Sequence, residues 1–237
     1  MDLVRTLPKW KLVLSVTPRA GVNTVDNIIR RLNPGTHPRQ IPNRGRPIAG
    51  YLSVKFVRNP YARAVSQYTF KACSPECASW TFIRFLEWME TLDLATCNHH
   101  FGYQHFPIHN TYRIFRQENL QEFVDAFNEF GGHNFTVADF RPGHWAKKKT
   151  TGEKWHDRTY LEIFDALNTG PGLERRKKRF GEHYYRSTEP QVTLPSYAEF
   201  YTPEIQRRVH RLFLRDIKAL GYSFEEMTEY NGELTPG

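Results

Sequence analysis

The sequence predicts an α/β fold in which a central, mostly parallel sheet is flanked by helices. Three observations carry this. Short apolar runs recur at Lys11–Val16, Tyr51–Val57 and Thr111–Arg116. Each is followed by a segment whose apolar residues repeat at helical spacing, and strands alternating with helices pair in parallel through crossover connections. The chain has 237 residues, 39% of them hydrophobic, which suffices for a sizeable core and excludes a disordered chain.

The elements follow in order. "KLVLSV" (Lys11–Val16) is bounded by Pro18 and Gly21 and reads as a buried strand. In "VDNIIRRL", Val25, Ile28, Ile29 and Leu32 line one helical face, and Asn33-Pro34-Gly35 stops the helix. The Pro-, Gly- and Arg-rich "NPGTHPRQIPNRGRP" is a loop, and "YLSVKFV" is the second strand. "PYARAVSQYTF" opens a helix with proline at a favoured early position. "ASWTFIRFLEWME" is an amphipathic helix with Phe82, Phe85, Leu86 and Met89 on one side. "TYRIFR" is the third strand, and "NLQEFVDAFNEF" a helix ended by Gly131-Gly132. No regular period runs through 140–196. "TPEIQRRVHRLFLRDIKALGY" reads as one long helix, capped by Thr202, with Pro203 in its first turn and Gly221 at its end.

Lys and Arg number 33 against 25 for Asp and Glu, and this excess favours an anionic ligand: a nucleotide, a sulfated or carboxylated sugar, or nucleic acid. No recognised nucleic-acid-reading motif accompanies it, so nucleic acid is not the expected partner. No apolar run matches a signal peptide or a membrane span, so the expectation is a soluble, cytoplasmic protein with no membrane partner. Cys73, Cys77 and Cys97 are too sparse for a disulfide framework and fit a reducing compartment. With the histidines of "NHHFGYQHFPIH" they match no common zinc spacing, and no metal is expected.

Two strand-to-helix junctions carry the chemistry. In "SVTPRAGVNTVDNII" a strand runs into a loop holding Arg19, Gly21, Asn23 and Thr24, then into a helix. Free N–H groups and the positive dipole end make a helix amino terminus a phosphate site, and Gly21 permits close approach. The Gly-Lys-Ser/Thr ending of a Walker A loop is absent, and a helix capped by Asn23 or Thr24 explains the same residues without a ligand. In "KFVRNPYARAVSQYTF", Arg58 stands at a strand's carboxyl end and Ser66 on the helix after it. Open α/β sheets collect ligands at the carboxyl ends of strands, so the two junctions could grip two phosphates of one nucleotide. Plainer alternatives are a solvated or ion-paired Arg58, and a Ser66 hydroxyl bonded to its own helix. Arg63 reads as a surface or structural arginine.

Together these motifs resemble those of the sulfotransferases that use 3′-phosphoadenosine 5′-phosphosulfate (PAPS), in particular the heparan- and chondroitin-type carbohydrate branch. "VRNPYARAVS" is similar to the family's 3′-phosphate motif, Val-Arg-Asp/Asn-Pro-x-x-Arg-x-x-Ser, and "TPRAGVNT" in part to its 5′-phosphosulfate loop, Pro-Lys-x-Gly/Ala-Ser/Cys-Thr. Downstream, "YQHFPIHNTYRIFRQENLQEFVDAF" and "FYTPEIQRRVHRLFLRDIKALGYSF" resemble later family segments, so the likeness covers the chain in order except for Trp155–Pro195. The resemblance implies one P-loop-like sulfotransferase domain over residues 1–237, with an acceptor-side insertion at about 155–195.

It also implies the site. PAPS is the co-substrate, held by Arg19, Ala20, Gly21, Val22, Asn23, Thr24, Arg58 and Ser66, and no metal takes part. A hydroxyl of a saccharide or anionic glycan attacks sulfur in line, and the nucleotide leaves. Arg19 serves the leaving group, and His37, in "GTHPRQ", or His105, in "YQHFPI", is the base. Lys147–Lys149 and "RRKKR" add charge for the nucleotide and the acceptor. Arg19 stands where the family has lysine, and Val22 and Asn23 where it has Ser or Cys and then Thr. A planar guanidinium is not a compact ammonium, so altered chemistry, slow turnover and binding without catalysis all stay open. A nucleotide-dependent phosphotransferase is the remaining alternative.

Overall fold

The computed structural model describes residues 2–35, 37–38, 48–98, 100–105, 111–140, 147–168 and 193–229. The chain divides into two compact units, Met1–Asn59 with Leu94–Gly143, and Pro60–Asp93 with His144–Gly237.

The first unit holds a four-stranded sheet of β1 (Leu3–Leu7), β2 (Leu12–Val16), β3 (Leu52–Val57) and β4 (Arg113–Arg116), in the order β1-β2-β3-β4. β2, β3 and β4 are parallel, and β1 joins β2 antiparallel. The mostly parallel sheet is therefore as expected. β1 is an addition: "LVRTL" contains Arg5 and two apolar residues at its ends, and only its hairpin with β2 makes it a strand. A tight turn through Pro8–Trp10, closed by Lys11 at φ 46°, fixes that register.

Helices α1 (Val22–Leu32), α4 (Leu120–Gly131) and α5 (Val137–Phe140) cover one face of this sheet. Val25, Ile28, Ile29, Phe123 and Phe127 meet Leu12, Leu14, Val16, Val54 and Phe56 there, every second strand residue pointing the same way. A smaller cluster of Val4, Val13 and Tyr112 lies apart from that core. Gly132 at φ 63° ends α4 one residue beyond the expected glycine pair's first member.

The second unit is helical and rich in aromatic side chains: α2 (Pro60–Lys71), α3 (Phe82–Glu90), α6 (Tyr160–Leu167), α7 (Pro203–Leu212), α8 (Leu214–Leu220) and α9 (Glu225–Glu229). Two short strands, β5 (Lys147–Lys149) and β6 (Thr193–Pro195), pair in parallel. α3 starts at Phe82 rather than at Ala78, because the Thr81 hydroxyl caps it by accepting from the Arg84 N–H. The closing helix is capped by Thr202 and ended by Gly221 as expected, but it is broken at Phe213. There the backbone leaves helical geometry (φ −109°, ψ 21°) and the side chain is fully buried, so packing overrides the helical pattern. Arg63 is also fully buried, which makes it structural and overturns a surface role. No described helix is long and apolar enough to cross a membrane.

Candidate active site

The site of the first unit is built at the carboxyl ends of β2, β3 and β4. β2 ends at Val16, and the chain turns over Thr17–Ala20, closed by the Ala20 N–H donating to the Thr17 carbonyl at 3.0 Å. Pro18 is the second residue of this turn, and Arg19 the third, with φ 68°. A positive φ there is the mark of a type II turn, a place usually given to glycine.

A buried polar cluster holds the root of that turn. Lys55, fully buried on β3, forms an ion pair with Asp2 and donates to the Thr17 hydroxyl at 2.8 Å. The Asp2 carboxylate also accepts from Thr17 (2.9 Å) and Ser15 (3.1 Å). Ser15 and Lys55 are register partners of neighbouring strands, so both point off the same face of the sheet. Burial, with the Asp2 carboxylate next in effect, pushes the nearby Tyr112 phenol up.

α1 starts directly after the turn. Its N-cap is Gly21, at φ 120° and ψ 25°, without a side-chain cap. The reading of Asn23 or Thr24 as N-cap is therefore overturned: both lie in the helix's first turn, Asn23 exposed and Thr24 buried. Leading N–H groups of the helix have no intrahelical acceptor, and no acidic residue occupies the first turn. A β-carbon on Gly21 would come within 3.4 Å of the Gln117 side chain, so the backbone and that amide are close neighbours. Gln117 is 7% exposed, and its Oε1 accepts no hydrogen bond among the described residues.

Arg58 follows β3 and is only 7% exposed, which overturns a solvated charge. Its Nη1 lies 3.4 Å from the Arg19 carbonyl, so the guanidinium stands beside the turn and the α1 amino terminus. Its main chain is gripped by Gln104, a fully buried side chain that accepts from the Arg58 N–H (2.9 Å) and donates to the Arg58 carbonyl (2.8 Å). The next N–H, of Asn59, donates to Glu118 at 2.8 Å. The Gln117 N–H donates to the Val57 carbonyl at 2.8 Å and closes the β3–β4 pairing.

A helix amino terminus, a buried guanidinium and a close-approach glycine together suit a phosphate or similar polyanion. Arg19, Ala20, Gly21, Val22, Asn23, Thr24 and Arg58 are thus gathered in one place. His105 is half-buried and directly follows the clamping Gln104, while His37 is exposed beyond the end of α1. Ser66 is buried on α2, in the second unit. The run 175–179 and all of 169–192 lie outside the described residues, as do most residues of the loop after His37. Lys147–Lys149 form β5. Among the described residues no group of three His, Cys, Asp or Glu could hold a metal ion. Lys55, Gln104, Gln117 and Glu118 were not singled out from the sequence. The last two follow Arg116 in "RQENL" and Gln104 precedes His105, so the motif segments were the available signal.

A family model described as the sulfotransferase family matches residues 8–223, a span that takes in all of these elements except β1 and the last short helix. No curated protein and no solved structure gives a significant match.

Proposed function

The chain belongs to the sulfotransferase family, and on that footing we propose that it transfers the sulfuryl group of PAPS to a hydroxyl of a carbohydrate-like acceptor. The observation that carries the donor assignment is the buried Arg58 guanidinium beside the uncapped amino terminus of α1. The residues fit the nucleotide: Gly21 puts no side chain over the backbone where α1 begins, and the unmatched Gln117 oxygen beside it would accept from an amine or hydroxyl of the ligand. The first-turn N–H groups of α1, with Arg19, would take the 5′-phosphosulfate. Arg58 would take the 3′-phosphate, and the sequence motif adds Ser66 to it. A single family match running across both compact units supports reading residues 1–237 as one domain, with the 155–195 stretch shaping the acceptor side.

In the transfer the acceptor oxygen forms its bond to sulfur as the bond from sulfur to the bridging phosphate oxygen breaks. Arg19 and the helix end neutralise the negative charge that collects on that oxygen. The acceptor's proton goes to an imidazole, His37 or His105. The basic excess of the chain suits an anionic glycan as acceptor.

Calorimetric titration with adenosine 3′,5′-bisphosphate, AMP and ATP tests the donor assignment. The bisphosphate should bind at least about tenfold tighter than AMP, the worth of one charge-assisted hydrogen bond, and Arg58→Ala should remove the difference. Equal affinities would overturn the assignment, and a preference for ATP would favour a phosphotransferase. Sulfate transfer from labelled PAPS to glycans and phenols then separates an enzyme from a nucleotide-binding protein. The second possibility is favoured by Arg19, which replaces the family's lysine on a left-handed backbone. Arg19→Lys raising the rate would mark a weakened enzyme, and a rate unchanged in His37→Ala or His105→Ala would remove that histidine as base.

A further inference from the structure

We propose that Gln104 is a positioning residue: its side chain takes the place of a neighbouring strand and fixes the backbone of Arg58, so that the guanidinium is set for the 3′-phosphate before the nucleotide arrives. The inference rests on the donor assignment above and adds the residue that gives Arg58 its selectivity.

β3 ends at Val57, so Arg58 has left the sheet ladder. Its own N–H and carbonyl would then be stranded in a place where the side chain is 7% exposed. Gln104, 46 residues away and fully buried, meets both groups at 2.9 and 2.8 Å. One residue exchanging an N–H and a C=O bond with another is the pattern of a hydrogen-bonded pair in an antiparallel ladder, here supplied by a side chain. The amide orientation follows from its partners, since only the carbonyl end can face an N–H and only the amino end can face a C=O.

Two further restraints act on the same stretch. Glu118 accepts the Asn59 N–H at 2.8 Å. Pro60, the first residue of α2, restricts the backbone of Asn59. The peptide groups on both sides of the Arg58 α-carbon are therefore held, which leaves the guanidinium only its side-chain rotations. A charged group held near its binding geometry loses less entropy when the ligand binds, and that gain applies only to a ligand that touches it. Gln104 should accordingly matter for nucleotides with a 3′-phosphate and little for those without one.

The test uses Gln104→Met, which keeps the length and volume of the side chain and removes both bonds. The measurement is the ratio of AMP to adenosine 3′,5′-bisphosphate dissociation constants, by calorimetry, in the full chain. The ratio should fall by about tenfold, the size of one charge-assisted hydrogen bond, with the AMP constant itself little changed. A general loosening of the fold would weaken both nucleotides alike and leave the ratio intact, and that result would overturn the inference. If the wild-type protein shows no 3′-phosphate preference, the donor assignment fails instead. The wild-type chain supplies a second measurement that needs no variant: amide hydrogen exchange at Arg58. With Gln104 as its acceptor this amide should exchange as slowly as the β3 amides; exchange at the rate of an open loop would show that the clamp does not form.

Discussion

Replacing Lys55 with methionine, or Asp2 with asparagine, separates the two halves of a buried ion pair at the root of the Thr17–Ala20 turn. The pair costs desolvation on both sides, and removing one partner leaves the other charge stranded, typically at about 3–5 kcal/mol. The two variants should differ within that range. In Lys55→Met the Asp2 carboxylate keeps the Ser15 and Thr17 hydroxyls, at 3.1 and 2.9 Å, and its side chain is 12% exposed. The loss should lie near the lower end, about 3 kcal/mol. In Asp2→Asn a fully buried ammonium loses its counter-charge, and the loss should lie near the upper end. Loss of the proton from the amine bounds that penalty at pH 7, at about 4.6 kcal/mol for an ordinary lysine. In that limit the unfolded variant binds a proton that the folded variant does not, so its deficit shrinks as pH rises. Urea unfolding of the wild type, both single variants and Lys55→Met/Asp2→Leu checks the reasoning through the midpoint at constant slope. The double variant should lose clearly less than the sum of the singles. Strict additivity, or single losses below about 1 kcal/mol, would refute a buried, coupled pair. Because Thr17 begins the turn that carries Arg19, nucleotide affinity should fall in both single variants as well.

Other expectations follow from named geometry. Gly21→Ala forces a β-carbon onto a backbone at φ 120° and to within 3.4 Å of Gln117, which should cost about 1–2 kcal/mol in urea unfolding and weaken both nucleotides. Arg208 grips Glu90 with two bonds of 2.9 and 2.8 Å and holds its carboxyl below the ordinary 4.5. The stability it adds is present above pH 4.5 and lost as pH falls, and Arg208→Ala should cost less than about 1 kcal/mol because the pair is partly exposed. A loss that does not shrink in acid would refute that assignment. Burial pushes the phenol of Tyr201 well above its ordinary 10.0, and that of Tyr61 up, with the Glu225 carboxylate adding to the latter. Their contribution is complete below pH 10 and lost as pH rises through the raised values, so urea midpoints should fall in alkali. Tyr201→Phe removes the 2.8 Å bond to the Tyr61 carbonyl and should make that fall shallower.

The parallel strands β2, β3 and β4, the helices after them, and the place of Arg58 at a strand's carboxyl end are legible in the residue pattern alone. These follow from short-range rules: backbone periodicity decides which side chains can share a face, and Pro, Gly and Thr mark ends within a few positions. Tertiary structure decided the rest. It made a strand of Leu3–Leu7 by offering β2 as partner, began α1 at Val22 where Gly21 could take φ 120°, and broke the closing helix to bury Phe213. It also chose the residues behind the site. Lys55 meets Asp2 across 53 positions and Gln104 meets Arg58 across 46. A buried polar group must find a partner, but which residue serves is set by strand register and by the path of the connections, and no local pattern contains either. The motif could therefore single out the arginine at the end of β3, while the glutamine that holds its backbone emerged only once the chain had brought the two together.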